Sequence, residues 1–180
     1  MTLKSIGLVI AALFFASVEH VQAQEFEVGA RLEQCVLTAA EVQGVDNSDG
    51  KTMQFSVTSC LTTARRTCQF TTDAEDCFSQ YVERVEELSR GIRASLPYKV
   101  DGVDGQSNRM NRRLSEAKSS VDAFREYCLN SVESDLPVEL LYLPAELRSP
   151  AKACEILVPS YDLSSLLLTK ALLDSMKAKK

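Results

Sequence analysis

The sequence predicts an all-α protein: a single disulfide-stapled antiparallel bundle, or set of hairpins, of about five helices. Three observations lead to this fold class. Glycine and proline are scarce, with 7 and 5 in 180 residues, and no sustained polar–apolar alternation indicates a strand. Apolar residues recur instead at steps of three and four, the spacing of an amphipathic helix. Six cysteines are spread along the chain, as cross-links between neighbouring helices would require.

The first 23 residues are predicted to form a secretory signal peptide. Lys4 precedes an apolar run over residues 6–16, and Val21 and Ala23 supply small residues just before the expected cleavage site. A run of about 11 residues is too short to cross a bilayer, which needs about 20. We expect no later run to reach that length. The mature chain, residues 24–180, is therefore predicted to be one periplasmic or secreted domain without a membrane span.

Composition limits the classes of function that the mature chain can have. Loss of the signal peptide removes Lys4, Glu19 and the single histidine, His20, which leaves 19 basic and 24 acidic residues. A mildly acidic protein is a poor match for nucleic acid and a better match for a basic partner. Catalytic Ser-His-Asp and Cys-His sites, and metal sites with histidine ligands, are excluded. We predict a non-enzymatic protein without a cofactor or metal.

Two helices and a loop are expected in the first part of the mature chain. The helices cover about residues 26–43 and 52–68, and residues 44–50 between them have the composition of a turn. This loop carries Asp46 and Asp49. Its spacing does not fit an EF-hand, so exposed turn residues are the simpler interpretation.

The third and fourth helices are predicted to form an antiparallel pair. A capping box of Thr72 and Glu75 begins the third helix, which runs to Leu96 and ends because a proline follows. The connecting loop, residues 98–106, carries a second group of acidic turn residues. Ser107 is expected to cap the fourth helix.

The segment after the fourth helix, residues 136–147, is rich in leucine and contains two prolines. Our preferred interpretation is that it packs as core, because large apolar patches rarely stay exposed. Alternatively, it is a partner-binding surface with Leu141 and Tyr142 among its anchors. A short helix through Cys154 is then expected to break at Pro159, before a last helix over about residues 161–176.

Helix geometry limits how the six cysteines can pair. Cys60 and Cys68 are eight positions apart on one predicted helix, about 12 Å along its axis, whereas a disulfide needs Cα atoms within about 7 Å. Residues that face each other across a helical hairpin have their midpoint in the connecting turn. One scheme places every midpoint in a predicted turn: Cys35–Cys60, Cys68–Cys77 and Cys128–Cys154. An even number of cysteines in an exported chain favours structural disulfides over a catalytic or metal-binding thiol.

Three short motifs carry a family resemblance. They are Ser59-Cys60-Leu61 leading through Ala64-Arg65-Arg66 to Cys68, Thr71-Thr72 followed by Cys77-Phe78, and Ala123-Phe124-Arg125-Glu126-Tyr127-Cys128 with Ala153-Cys154 downstream. In these motifs the chain resembles the LprI-like lysozyme inhibitors, a family of small, helical, disulfide-rich proteins that bacteria export.

The resemblance implies a protein partner, a muramidase of the lysozyme type. We expect inhibition by occlusion, in which an acidic loop enters the cationic cleft of the enzyme. The candidate contacts are Asp46 and Asp49 in the first loop and Asp101 and Asp104 in the second. The alternative is a non-enzymatic structural or adaptor protein of the cell envelope, which would assemble through its Leu/Pro-rich segment or its C-terminal helix.

Overall fold

The computed structural model describes residues 28–39, 51–102, 104–134 and 145–178, and these residues form helices and their connections without any strand. The helices are α1 over residues 28–39, α2 over Lys51–Gln69, α3 over Ala74–Ser95, α4 over Gly105–Ser134 and α5 over Pro150–Ala178. A 3-10 turn at Ala145–Leu147 precedes α5. The predicted all-helical class is confirmed. The predicted signal peptide lies outside the described residues.

The N-terminus of α3 differs by one residue from the predicted capping box. Asp73, not Thr72, is the N-cap residue, and its Oδ1 accepts a hydrogen bond from the backbone N–H of Asp76 at 3.4 Å. Glu75 and Asp76 add two negative charges in the first turn, where the positive end of the helix dipole favours them. At the other end the helix stops at Leu96, which is extended with a ψ of 133°.

The cap of α4 also differs from the predicted one. Asp104, rather than Ser107, caps the helix: its Oδ1 accepts hydrogen bonds from the backbone N–H groups of Gln106 and Ser107, each at 2.8 Å. The Ser107 hydroxyl is buried and donates to Oδ2 of Asp104 at 3.2 Å. Gly102, just before this cap, has a φ of 136°, and a Cβ there would lie 2.4 Å from Oγ of Ser107. Both the backbone angle and the close approach require glycine at this turn.

The predicted break at Pro159 is wrong, because α5 is one helix of 29 residues that contains this proline. Proline lacks a backbone donor, so the carbonyl of Glu155 loses its helical partner. Glu155 is exposed, whereas residues 156–160 are all buried. The Ser160 hydroxyl donates to the carbonyl of Ile156 at 3.2 Å in the same turn. Packing on the buried side therefore holds the helix together through the proline.

The central position of α5 follows from its partners, since it contacts α2, α3 and α4. It runs antiparallel to α4. Cys154 bonds to Cys128, and further along α5 Asp162 bonds to Ser120, which lies earlier on α4 than Cys128 does. Most of the burial of α3 and α4 is against α5 rather than against each other.

The direction of α3 relative to α5 is parallel. Tyr81 contacts Ser160, and one helical length further on Leu96 packs in one cluster with Leu173. The third and fourth helices therefore run antiparallel to each other, as predicted, but each packs mainly on α5 and the two do not form a closely packed pair. We call the end at which α3 ends, α4 begins and α5 ends the loop end, and the opposite end the disulfide end.

Within the described parts of the chain, the core consists of two apolar clusters. The larger one lies towards the disulfide end and includes five of the cysteines together with Phe78, Tyr81 and Val85 of α3. The smaller one lies at the loop end and contains no cysteine. Its buried members are Leu96, Met110, Leu114, Ala117, Leu166 and Leu173.

The predicted disulfide pairing is confirmed. The bonds are Cys35–Cys60, Cys68–Cys77 and Cys128–Cys154, with Cα–Cα distances of 5.9, 5.3 and 5.8 Å. Each bond restricts the unfolded chain and contributes about 2–4 kcal/mol to stability. Three such bonds indicate an oxidising environment outside the cytosol.

One described helix is long and apolar enough to cross a membrane, Pro150–Lys177 within α5. The expectation that no later run reaches this length is therefore wrong by length and composition, because Pro159 does not divide the helix. Within the most apolar window, 56% of the residues are buried inside the molecule. Asp162 is buried on the same helix. These properties are typical of the central helix of a core.

Candidate functional site

Only two of the predicted partner-binding residues fall in the described part of the chain, Asp101 and Asp104. The other four lie outside it: Asp46, Asp49, Leu141 and Tyr142. The predicted first acidic loop and the predicted apolar anchors therefore stay predictions, and the second acidic loop can be placed.

The second loop holds its two carboxylates differently. Hydrogen bonds from Ser107 and Gln106, chiefly from the backbone N–H of Ser107, lower the pKa of Asp104. Both carboxylates are exposed, but both oxygens of Asp104 accept hydrogen bonds in the cap of α4, whereas Asp101 has no hydrogen-bond partner among the described residues. The loop is held against α4 by Asn111, whose side chain accepts from the Val100 N–H at 2.7 Å and donates to the Val100 carbonyl at 3.1 Å. Asp101 is thus the carboxylate of this loop that can meet a partner without breaking the cap of α4.

Charge is divided unequally between the two ends of the molecule. At the loop end, residues 88–118 and 166–178 carry nine basic and four acidic side chains, whereas the remaining described residues carry eight basic and thirteen acidic ones. Asp101 therefore lies among basic neighbours. The acidic surface that the net charge implies is at the disulfide end.

A groove of about 480 Å³ opens at that end, between the first turns of α3 and α5. We call it the acidic groove. Its floor is apolar and its rim carries four carboxylates and one lysine. The floor is formed by Phe78, Val82, Leu147 and Ile156, and the rim by Asp73, Glu75, Asp76, Glu155 and Lys152.

The rim carboxylates differ in how they are engaged. Asp76 accepts a hydrogen bond from the side-chain amide of Gln80 at 2.9 Å. Glu155 lies 3.2 Å from Nζ of Lys152, and both side chains are more than half exposed, so this ion pair contributes little to stability. Glu75 is exposed and has no ion-pair partner among the described residues. The rim can therefore meet a cationic partner without breaking a strong internal contact.

Two disulfides anchor the walls of the acidic groove. Cys77 ties the first turn of α3 to α2 through Cys68, and Cys154 ties the first turns of α5 to the end of α4 through Cys128. A surface that is already fixed loses little conformational entropy when it binds. The arrangement is that of a rigid docking surface.

A buried polar cluster lies next to the groove floor and joins three helices. The Tyr81 hydroxyl is 2.7 Å from the Ser160 hydroxyl, and Nη1 of Arg65 donates to the same Ser160 oxygen at 3.3 Å. Burial raises the pKa of Tyr81, although the charge of Arg65 and the hydrogen bond with Ser160 act in the opposite direction. The phenol therefore stays neutral at physiological pH and serves as a structural link between α2, α3 and α5.

The described residues contain no group of three or more side chains suited to hold a metal ion. No protein-family model, curated protein or solved structure matches this chain. Its function has to be inferred from its own residues.

The acidic groove is not predicted by the sequence, although some of its carboxylates are close together in the chain. Three carboxylates stand within four positions at Asp73, Glu75 and Asp76, next to Cys77. The sequence predicts only a capping role for Glu75, and it places Phe78 in the motif with Cys77. Neither assignment shows that the start of α5 would complete a groove there, because that depends on the parallel packing of α3 and α5.

Proposed function

We propose that this protein is an exported, non-enzymatic binding protein that inhibits a lysozyme-type muramidase by occluding its cationic, carboxylate-containing cleft. The observation that most directly supports this function is the acidic groove, a cross-linked surface with four carboxylates around an apolar floor. The resemblance to the LprI-like lysozyme inhibitors supplies the class of partner. The acidic groove, rather than either of the two predicted acidic loops, is the leading candidate for the contact surface.

The chemistry of the groove suits the basic rim of such a cleft. Carboxylates at Glu75, Asp76 and Glu155 would accept lysine and arginine side chains, and the floor below them, where Val82 stays partly exposed, would receive apolar groups. Complementary charge accelerates encounter and sets orientation, and it is screened as salt rises. Inhibition should therefore weaken with ionic strength, mainly through slower association.

Asp101 offers a second surface for the same function. It lies beyond the C-terminal end of α3, whereas the groove lies at the N-terminal end of this helix of 22 residues. At 1.5 Å per residue the two surfaces are about 33 Å apart. One cleft cannot easily engage both, so variants at the two ends separate the alternatives.

The adaptor alternative has less support. Its first proposed surface, the C-terminal helix, is α5, which supplies a large share of both core clusters. Assembly through that helix would require the core to open. Its second proposed surface, the Leu/Pro-rich segment, lies mostly outside the described residues.

The test is a cell-wall turbidity assay with the mature chain and a lysozyme-type muramidase. We expect lysis to slow and to recover as salt is added. The triple variant Glu75→Gln/Asp76→Asn/Glu155→Gln should raise the inhibition constant about tenfold or more, which corresponds to about 1.4 kcal/mol. The matched control, Glu83→Gln/Glu86→Gln/Glu126→Gln, removes the same charge from exposed positions outside the groove and should leave the constant unchanged.

Two results would decide against the proposal or its surface. Unchanged lysis at saturating mature protein removes the inhibitory function altogether. If Asp101→Asn abolishes inhibition while the triple variant inhibits like wild type, the second loop is the contact and the acidic groove is not.

A further inference from the structure

The loop end of the molecule carries a second groove, of about 570 Å³, between the end of α3 and the last turns of α5. Its floor is formed mainly by Leu96, Val100, Leu173 and Met176, and Lys99 and Lys177 stand at its rim. We call it the basic groove. It lies at the opposite end from the acidic groove, so its interpretation does not depend on the muramidase proposal.

The floor is an extension of the smaller core cluster. Leu96 and Leu173 are buried in that cluster, whereas Val100 and Met176 pack against it and stay partly open to solvent. Apolar surface that is half-covered in a concave site gains free energy when an apolar ligand covers the rest. The floor therefore favours an aliphatic ligand over a polar one.

The two rim lysines are available to a ligand. Lys99 is exposed and has no ion-pair partner among the described residues. Lys177 lies 3.8 Å from Asp174, but both side chains are about half exposed or more, so this pair is weak. Among the described residues that line the groove, Asp101 supplies the only carboxylate.

The surroundings strengthen the preference for an anion. The loop end has nine basic and four acidic side chains, and such an excess raises the local concentration of anions. Beside Lys99, the Tyr98 ring is 89% exposed, with Nζ of Lys118 3.6 Å from its centroid. A cationic rim above an aliphatic floor matches a molecule with an acidic head and a hydrocarbon tail.

We propose that the basic groove binds a single-chain anionic amphiphile of the fatty-acid class, with its alkyl chain along the floor and its carboxylate between Lys99 and Lys177. A concave site of this size fits one chain in solution better than a flat bilayer surface. Each methylene that the floor covers should tighten binding about threefold to fourfold until the groove is filled.

The test is titration calorimetry of the mature protein with monomeric decanoate and dodecanoate. We expect both to bind, and dodecanoate about tenfold more tightly, since it has two more methylenes. Decyltrimethylammonium, which has the same chain length as decanoate and the opposite charge, should bind much more weakly. Equal affinity for decanoate and decyltrimethylammonium would overturn the proposal, and so would equal affinity for decanoate and dodecanoate.

Variants locate the site. Lys99→Gln/Lys177→Gln should weaken decanoate about fivefold or more, since two cations near one carboxylate are lost. Met176→Gln should weaken both chain lengths and reduce their difference. The matched control, Arg90→Gln/Arg125→Gln, removes two exposed cations that line neither groove and should leave decanoate binding unchanged.

A vesicle sedimentation experiment distinguishes binding of a free amphiphile from binding to a lipid surface. Vesicles containing phosphatidylglycerol are sedimented with the protein at the same salt concentration. Sedimentation with vesicles in the absence of any decanoate binding would assign the loop end to a bilayer and would refute the proposed occupant. Equal affinity of the Lys99/Lys177 variant and wild type for decanoate would show that the ligand binds elsewhere.

Discussion

Nη2 of Arg93 on α3 lies 2.5 Å from Oδ1 of Asp162 on α5, and only 3% of the Asp162 side chain is exposed. The same oxygen accepts a hydrogen bond from the Ser120 hydroxyl of α4 at 2.9 Å. Nε of Arg93 also donates to the carbonyl of Ala117 at 3.4 Å. Three helices therefore meet at one buried carboxylate near the middle of α5.

Loss of the Arg93 cation should destabilise the fold, because Asp162 would then be a buried carboxylate without a cationic partner. Arg93→Met leaves Asp162 buried with only a hydroxyl partner, and we expect a loss of about 3 kcal/mol in the free energy of unfolding, as measured by urea denaturation. The double variant Arg93→Met/Asp162→Leu should recover most of that loss, because no buried charge remains. Losses that simply add in the double variant would contradict the coupling.

The buried phenol of Tyr81 should make stability sensitive to alkali. Because burial raises its folded-state pKa above the unfolded value of about 10, the native state holds this proton more tightly. The associated stability is fully present below about pH 10 and is lost as the pH rises from there through the folded-state pKa. Urea midpoints followed between about pH 8 and pH 11 should fall less steeply in Tyr81→Phe than in wild type.

The control for that series is Tyr98→Phe, since Tyr98 is 89% exposed. Its alkaline profile should match wild type. At neutral pH, Tyr81→Phe should cost about 1 kcal/mol, because it removes the 2.7 Å contact with the buried Ser160 hydroxyl. Identical alkaline slopes in wild type and Tyr81→Phe would show that another group controls the loss.

Two glycines should respond oppositely to alanine. Gly102→Ala must place a Cβ 2.4 Å from Oγ of Ser107 at a φ of 136°, so we expect it to disrupt the cap made by Asp104 and to destabilise by about 1–3 kcal/mol. Gly91→Ala adds a methyl group on the exposed face of α3 with nothing within 4 Å, and it should stabilise by about 0.5–1 kcal/mol. Thermal melts of the two variants give the comparison, and equal shifts would refute it.

The Cys35–Cys60 bond should be the first to open under mild reduction. Cys35 is exposed, whereas the cysteines of the other two bonds are buried, and exchange needs a thiolate to reach a sulfur atom. Alkylation followed by mass mapping should label Cys35 and Cys60 before any other pair. Simultaneous labelling of all six cysteines would show instead that reduction waits for global unfolding.

Local pattern was enough to predict much of the fold. The three- and four-residue steps located α3 and α4 to within a few residues, and hairpin midpoints gave all three disulfides. Pro159 was misread because its local preference is overridden by burial of the neighbouring turn. Asp73 and Asp104 replaced the predicted caps because several adjacent side chains can cap a helix, and the surrounding chain decides among them.

Local sequence pattern does not predict the two grooves. Each one brings together residues about 75 to 80 positions apart, such as Phe78 with Ile156 and Leu96 with Leu173. These contacts depend on the parallel direction of α3 and α5, which periodicity along a single helix does not specify. The uneven distribution of charge follows from the same packing, since the net charge alone does not separate the two ends.

All three disulfides belong to the half of the molecule that surrounds the larger cluster, and no disulfide joins the described residues of the smaller cluster. Partial opening should therefore begin where no covalent link opposes it. Backbone amides in the last turns of α3 and α5 and the first turns of α4 should exchange with deuterium sooner than those beside Cys77 and Cys154. A protein built in this way can loosen one extremity to admit a guest while the other keeps its shape.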